Sequence, residues 1–493
     1  MKAPSDNYSH IVKYTGLFGG VQGLMILIGL VRNKCMALLL GAAGMGFASL
    51  LNSVQNFASQ CTNMGISFGA VPRLSELYGQ GDDEKLKNYI QVIRLWSFIA
   101  AVLGFVFCVV ISPFVDDLSF TWGNHTMHFA MLALSVAMIA ITSGETAILK
   151  ATRKLGALAK IQVYTGLASI LISVPLFYFL YHSGVVPAIV LMAASSMLTT
   201  IAYSYHCFPL KLRFHRRQLA EGMGMIKLGM AFVLAAVIGS AAEMFIRSFL
   251  NVDGGLDYVG LYNAGYMITI TYAGMVFAAM ESDYFPRLSA VNQDILATNL
   301  TVNKQMEVSL LLLAPMLVAL IMMLPVLIPL LFSSEFLPVV TMAQVAVLAM
   351  YFKVLTLPVA YITLARGYSL SYLLLENCYF LVLVVAVIQG YRHWGLWGTG
   401  LAIVVAHVAE FLTVTGYAIW RYAYRPTTMV MRYAVVQTLV GFVAYAVSLT
   451  FEGWGYWIAE AALTLVSTAY SVHVLHQKTH LWEALLRKLS RRL

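Results

Sequence analysis

Apolar runs of membrane-spanning length follow one another from about Ile11 to about His473, and nearly all Lys and Arg fall in every second gap between them. A run of roughly 20 apolar residues crosses a bilayer, and short cytoplasmic loops collect Lys and Arg. The pattern therefore predicts an all-α polytopic membrane protein whose orientation can be read from its loops. Spans are expected near 11–35, 43–70, 92–114, 128–149, 158–182, 185–207, 225–250, 259–281, 306–332, 338–364, 368–389, 396–420, 433–451 and 454–475, about fourteen in all. An even number puts both termini on one side. That side holds Arg73, Lys85, Lys87 and Arg94, then Lys150, Arg153, Lys154 and Lys160, then Lys211 to Lys227, and later Arg366, Arg421, Arg425 and Arg432. The opposite loops carry Asp116, Asp117, Asp253, Asp257, Glu335 and Glu452. The basic side is expected to be cytoplasmic, and Trp122, Trp394, Trp397, Trp454 and Trp457 fall near the outer ends as interfacial anchors do.

The composition agrees. Of the residues 60% are hydrophobic and 11% charged, with mean hydropathy +0.78, too apolar for a soluble domain with a polar surface. The net charge of +9 sits in loops rather than on one face, which points to topology and lipid contact and away from nucleic acid. The five cysteines are scattered with no CxxC, so neither a disulfide framework nor a metal site is expected. Met1 to His10 is short and polar, and the chain is expected to insert through its first span rather than a cleaved signal. His480 to Leu493 reads as an amphipathic helix lying on the lipid surface.

The chain also repeats itself. Gly46 and Gly260 open the second and eighth spans, and Pro72-Arg73-Leu74-Ser75 and Pro286-Arg287-Leu288-Ser289 close them, both at an offset of 214. A weaker echo at 213 pairs Arg153 with Arg366. Six intervening spans give both copies the same orientation, so two six-helix lobes should be related by a pseudo-twofold axis along the membrane normal, as in parallel-repeat transporters. The expected organisation is an N-lobe at 1–217, a C-lobe at 218–425, spans 13 and 14 at 426–477, and a tail at 478–493. A cleft between such lobes suits alternating access; a static scaffold of duplicated helices is the other reading.

Charged and amide side chains inside spans are costly and mark function. Asn52, Asn56, Ser59, Gln60 and Asn63 form one helical stripe on the second span, with Gln55 beside it. Each amide needs a partner in hydrocarbon, so the stripe either joins helices or lines a wet cavity suited to sugar hydroxyls. Asn263, Tyr266 and Thr269 offer a softer version on the eighth span. Arg32, Lys34 and Arg247 lie near outer span ends; an arginine fork suits a diphosphate, whereas snorkelling to headgroups is the alternative. Glu243 precedes Arg247 by one turn and is placed to hold it. Lys353 and Glu376 are central in the tenth and eleventh spans and are expected either to neutralise each other or to serve a ligand or proton. Glu145, Glu410 and His407, one turn from Glu410, are candidates for ion or proton coupling. No P-loop, HExxH, GxSxG or cofactor-sized soluble domain is present, so no enzymatic activity and no cofactor is expected.

Val31-Arg32-Asn33-Lys34, Ala37-Leu38-Leu39-Leu40-Gly41 and Gly44-Met45-Gly46, with Val259-Gly260-Leu261-Tyr262, Gly274-Met275-Val276, Ala279-Met280 and Asp283-Tyr284-Phe285-Pro286-Arg287-Leu288-Ser289, resemble the signatures of Wzx-type O-antigen/polysaccharide flippases. These form the polysaccharide branch of the multidrug/oligosaccharidyl-lipid/polysaccharide exporter superfamily. The resemblance implies a monomeric carrier in the bacterial inner membrane. It would turn an undecaprenyl-diphosphate-linked oligosaccharide from the cytoplasmic to the periplasmic leaflet, beside membrane lipids and glycan polymerase or ligase partners. Under it Arg32, Arg247 and Lys353 would meet the diphosphate, and Asn52, Asn56, Gln60, Asn63, Asn263 and Tyr266 the sugars. Fourteen spans rather than twelve is similar to the lipid II flippase group. A cation-coupled multidrug exporter and a non-transport scaffold for glycan assembly are the competing readings.

Overall fold

The computed structural model describes residues 4–119, 125–209 and 216–478. Trp122, Lys211 and the tail from His480 to Leu493 lie outside them. The described residues form fourteen α-helices and no strand: α1 (Pro4–Thr62), α2 (Ile66–Gln80), α3 (Asp83–Ser119), α4 (Thr126–Ala151), α5 (Leu155–Leu180), α6 (Val185–Cys207), α7 (Arg216–Gly254), α8 (Leu256–Tyr266), α9 (Tyr272–Ala290), α10 (Ile295–Leu331), α11 (Val339–Ala365), α12 (Ser369–Tyr422), α13 (Thr428–Thr450) and α14 (Gly453–Lys478). Ten stretches are long and apolar enough to cross a membrane. Three of them, Gly20–Thr62, Leu155–Cys207 and Leu370–Tyr422, run to 43, 53 and 53 residues. At 1.5 Å per residue the longest would reach about 80 Å, far beyond the roughly 30 Å of hydrocarbon. Each is interrupted inside: at Gly41 (φ 66, ψ −167), at the 3-10 turn Tyr181–Gly184 and at Gly395 (φ 60, ψ −142). Past Gly395 the chain doubles back, for a Cβ on Gly390 would overlap the Gly398 carbonyl and one on Gly398 the Gly390 carbonyl. Where the sequence predicts unbroken second and eighth spans, the structure has breaks. The second parts at Met64 (φ 54) and Gly65 (φ 65), and the eighth carries a π-turn at Met267–Thr271, a distortion that often marks functional sites.

The duplication is written in the backbone. Positive φ recurs at Gly41 and Gly255, Arg153 and Gly367, and Tyr181 and Gly395, every pair 214 positions apart. The turn after α4 bonds Thr152, Arg153 and Lys154 N–H groups to the Ile148, Lys150 and Leu149 carbonyls; the turn after α11 bonds Arg366, Gly367 and Tyr368 to Ile362, Leu364 and Thr363. The two ladders match at 214, so Arg153 corresponds to Gly367 and not to Arg366 as the charge pattern suggests. Left-handed backbone penalises a Cβ by about 1–2 kcal/mol. Arg153→Gly should therefore raise stability by about 1 kcal/mol after the extra unfolded-state entropy of glycine, and Gly367→Ala should lower it similarly. Thermal unfolding in detergent measures both; a lower midpoint for Arg153→Gly would refute the assignment.

Contacts divide the chain into two compact units, 1–260 with 331–333, and 261–330 with 334–493. α7 falls in the first unit because it packs on α1, α2 and α3. In the first unit α3 packs on α4, α4 on α6, and α1 on α5. One apolar core gathers Leu50, Leu51, Phe129, Leu132 and Val136, and another Leu74, Ile90, Ile93, Trp96 and Ile148. In the second unit α11 packs on α12 and α13, and α13 on α14. Large apolar side chains such as Leu171, Phe179, Leu296 and Trp454 remain exposed, as a surface solvated by lipid requires.

Candidate functional site

In the first unit α1 turns the head of its polar stripe outward. From Ala42 to Asn63 every apolar side chain is buried or half-buried, and the exposed positions are Asn52 and Asn56. A helix turned to lipid exposes apolar groups; one that exposes carboxamides faces water. Ser59, Gln60 and Asn63 continue the face half-buried, and the buried Asn63 Oδ1 has no hydrogen-bond partner among the described residues. Asn52 donates to the Ala48 carbonyl at 2.8 Å, which leaves its carbonyl oxygen outward. Gln55 is buried.

Arg247 of α7 joins the head of this stripe. Its Nε donates to Ser49 Oγ at 2.8 Å, and Ser49 lies one turn before Asn52 on the same face. Nη1 reaches the Glu243 carboxylate at 3.3 Å and carbonyl at 3.1 Å, so Glu243 holds the arginine as the one-turn spacing predicts. Ser49 was missed, although it extends the stripe's 3–4 spacing by one step. Arg32 is half-buried and reaches α6, with Nη1 4.0 Å from Met192 Sδ. A hollow of about 740 Å³ opens on the side of the basic loops, lined by Arg73, Lys85, Asn88, Tyr89, Gln218 and Glu221 among others. Arg73 pairs with Glu76 at 2.7 Å and Lys85 with Asp82 at 2.8 Å. The Lys85 hydrogen bonds hold the Asp82 carboxyl below its ordinary range. In the sequence Arg73 and Lys85 stand out only as markers of orientation.

Glu145 is not brought to the stripe. Arg94 grips it with two bonds, Nε to Oε1 at 2.8 Å and Nη2 to Oε2 at 3.2 Å, and Ser204 of α6 donates to Oε2 at 2.5 Å. Arg94 also bonds the Phe208 carbonyl at 2.9 Å and stacks on Tyr205 at 4.3 Å. The side chains are 7% and 2% exposed. Arg94, read from the sequence as a loop charge, lies inside α3 and ties α3, α4 and α6 together. The two Glu145 carboxyl oxygens are thus taken up by Arg94 and Ser204.

In the second unit Lys353 Nζ lies 3.0 Å from Glu410 Oε1, so the ion pair is with Glu410 where the sequence suggests Glu376. Glu376 stands within electrostatic reach of both. Glu410 is 4% exposed and Lys353 24%, and Glu410 Oε2 has no hydrogen-bond partner among the described residues. The buried His407 holds the Ile403 carbonyl through Nδ1 at 2.9 Å and packs edge-on to Tyr379 at 4.9 Å. Lys353 Nζ lies 5.8 Å from that Tyr379 ring. Four of the predicted residues thus form one cluster on α11 and both halves of α12. Asn263 Nδ2 reaches Met267 Sδ at 3.5 Å, and the Tyr266 ring lies 5.8 Å from Tyr262. Thr269 is buried and donates back to the Gly265 carbonyl at 2.7 Å, so it offers nothing to a cavity. Among the described residues no group of three or more His, Cys, Asp or Glu side chains could hold a metal.

Residues 35–341 match a protein family described as "Polysaccharide biosynthesis protein". Comparison with curated proteins found no match. Among solved structures the chain is similar to the lipid II flippase MurJ in an inward closed conformation, with TM-score 0.74, 12% identity, and coverage of 94% of this chain and 99% of that one. It is similar to an inward-facing multidrug resistance MATE family transporter of the MOP superfamily, with TM-score 0.65, 15% identity, and coverage of 81% and 94%. It is also similar to a MOP superfamily transporter from Pyrococcus furiosus, with TM-score 0.56, 17% identity, and coverage of 83% and 93%. At these identities the likeness establishes a shared fold.

Proposed function

The chain belongs to the polysaccharide biosynthesis protein family, and from that premise we propose that it is a flippase for undecaprenyl-diphosphate-linked oligosaccharide. It moves its substrate from the cytoplasmic to the periplasmic leaflet of a bacterial inner membrane by alternating access. One observation carries the reading: along α1 from Ala42 to Asn63 the exposed side chains are carboxamides, and an arginine stands at the head of the same face. Carboxamides donate and accept at once, which suits hydroxyl-rich sugars, and the guanidinium fork suits a diphosphate. Arg32 and Lys353 are the further diphosphate contacts, and Gln60, Asn63, Asn263 and Tyr266 the further sugar contacts. Glu376, His407 and Glu410 serve coupling to an ion gradient or the membrane potential, with Glu410 alternating between Lys353 and another cation or proton.

A multidrug exporter on the same fold would use the carboxylates Glu376 and Glu410 for cationic drugs. The Lys353 ammonium 3.0 Å from Glu410 already occupies one of the two carboxylates, which argues against Glu410 as a drug site.

The test is flipping by purified protein in vesicles, with a fluorescent lipid-linked oligosaccharide. Losing a charged hydrogen bond costs about 1.5–3 kcal/mol, so Arg247→Ala should slow flipping by roughly ten- to a hundredfold, and Asn52→Leu with Asn56→Leu comparably. Both variants should insert at normal levels. A wild-type rate in both variants would discard the site.

A further inference from the structure

α14 turns a polar face inward. Its buried residues include Tyr456, Glu460, Ser467 and Ser471, a stripe at helical spacing in a segment otherwise apolar enough to span a membrane. Most of this stripe is matched to a neighbour in the second unit. Tyr456 Oη meets the Met322 carbonyl at 2.9 Å and Gln344 Nε2 at 3.3 Å. Ser467 donates to Gln437 Oε1 at 2.7 Å, and Gln437 Nε2 donates to Ser471 Oγ at 2.8 Å.

Glu460 breaks the pattern. It is 0% exposed, and among the described residues neither carboxyl oxygen has a hydrogen-bond partner. The titratable groups facing it are Tyr351 of α11 and Tyr456 of its own helix. Tyr351 already bonds the Ala314 carbonyl of α10 at 3.2 Å, and α13 presents Gln437, Gly441 and Ala444 to its neighbours. No cation among the described residues compensates a charge at Glu460. An isolated carboxylate in such surroundings is far costlier than the neutral acid.

We propose that Glu460 is a proton-binding site, separate from the Lys353 cluster, whose proton holds the α14 seam closed and is released when the seam opens. A bound metal ion is the poorer occupant, because a hard cation takes six or more oxygens. The route to the membrane–water interface is short. Glu460 lies two turns from the start of α14, about 10 Å, where Met323, Val326, Gly453, Trp454 and Trp457 line an open hollow of about 450 Å³. Losing the proton leaves a buried charge, so rising pH drives the seam to hydrate.

The experiment uses the full chain reconstituted in vesicles, and needs no glycolipid substrate, so it stands whatever the substrate is. Infrared spectra are recorded across pH for the wild type, Glu460→Gln and Glu460→Asp, and reaction with a hydrophobic carbodiimide, which attacks protonated carboxyls, is mapped by mass spectrometry. The wild type should show a protonated-acid carbonyl band at neutral pH that Glu460→Gln lacks and that fades as pH rises. Carbodiimide should label the α14 peptide, with labelling falling several-fold over the same pH range. Glu460→Asp should keep a band with a displaced titration. Identical wild-type and Glu460→Gln spectra at neutral pH would overturn the proposal. So would a band and labelling that persist unchanged to alkaline pH, the mark of a permanently neutral structural acid.

Discussion

Arg94→Ala should destabilise the protein by about 3–5 kcal/mol, the cost of leaving one member of a buried ion pair without the other. The pair is 7% and 2% exposed, so solvent screening does little to soften the loss. Three attachments fail together: the two bonds to Glu145, the cap on the last carbonyls after α6, and the stacking on Tyr205. Arg94→Lys should recover only part, because an ammonium cannot reproduce the fork. Adding Glu145→Gln to Arg94→Ala should recover more than half of the deficit by removing the stranded charge. Fluorescence-monitored melting in detergent, with membrane abundance as a second readout, separates these cases. An Arg94→Ala midpoint equal to wild type would mean that the clamp does not hold α3, α4 and α6. If Glu145 were instead a coupling acid, the double variant would be stable and specifically defective in transport.

What could be read from the chain and what could not follows from the kind of signal each feature leaves. Span positions were legible because length and hydropathy are one-dimensional properties, and the breaks at Gly41 and Gly395 fall in the gaps between predicted spans. The duplication was legible through Gly46 and Gly260 because close packing tolerates no substitute there. It was misaligned by one at Arg153 because what recurs is a left-handed turn, which the other copy fills with Gly367. Arg94 looked like a loop residue because α3 begins at Asp83, well before its apolar stretch. The amide stripe was visible from 3–4 spacing alone. Pairing was not: Lys353, Glu376 and Glu410 come from three helical segments, and the rotation of α12 about Gly395 decides which carboxylate meets the ammonium. Glu460 was in plain view as a charge inside the last span, but only its burial without a partner distinguishes it.

Gly46→Ala and Gly260→Ala should each cost about 2–4 kcal/mol, the upper range for forcing an extra carbon into filled space. The reason is a reciprocal contact. A Cβ on Gly46 would overlap the Leu256 carbonyl, and a Cβ on Gly260 would overlap the Ala42 carbonyl. Leu256 follows Ala42, and Gly260 follows Gly46, by the same 214 positions. Residue i of one copy touching j of the other, and j touching i, is the mark of a two-fold relation. Backbone atoms cannot rotate aside as a long side chain can, so α1 and α8 must separate along the contact. The two costs should be similar in size, and the double variant should cost less than their sum, because one separation of the helices relieves both clashes. Gly416→Ala is the internal control, for nothing lies within 4 Å of its Cβ position; replacing glycine by alanine in a helix interior there should stabilise by up to about 1 kcal/mol. Unequal costs for Gly46 and Gly260, or strictly additive ones, would show that the contact between α1 and α8 is not shared.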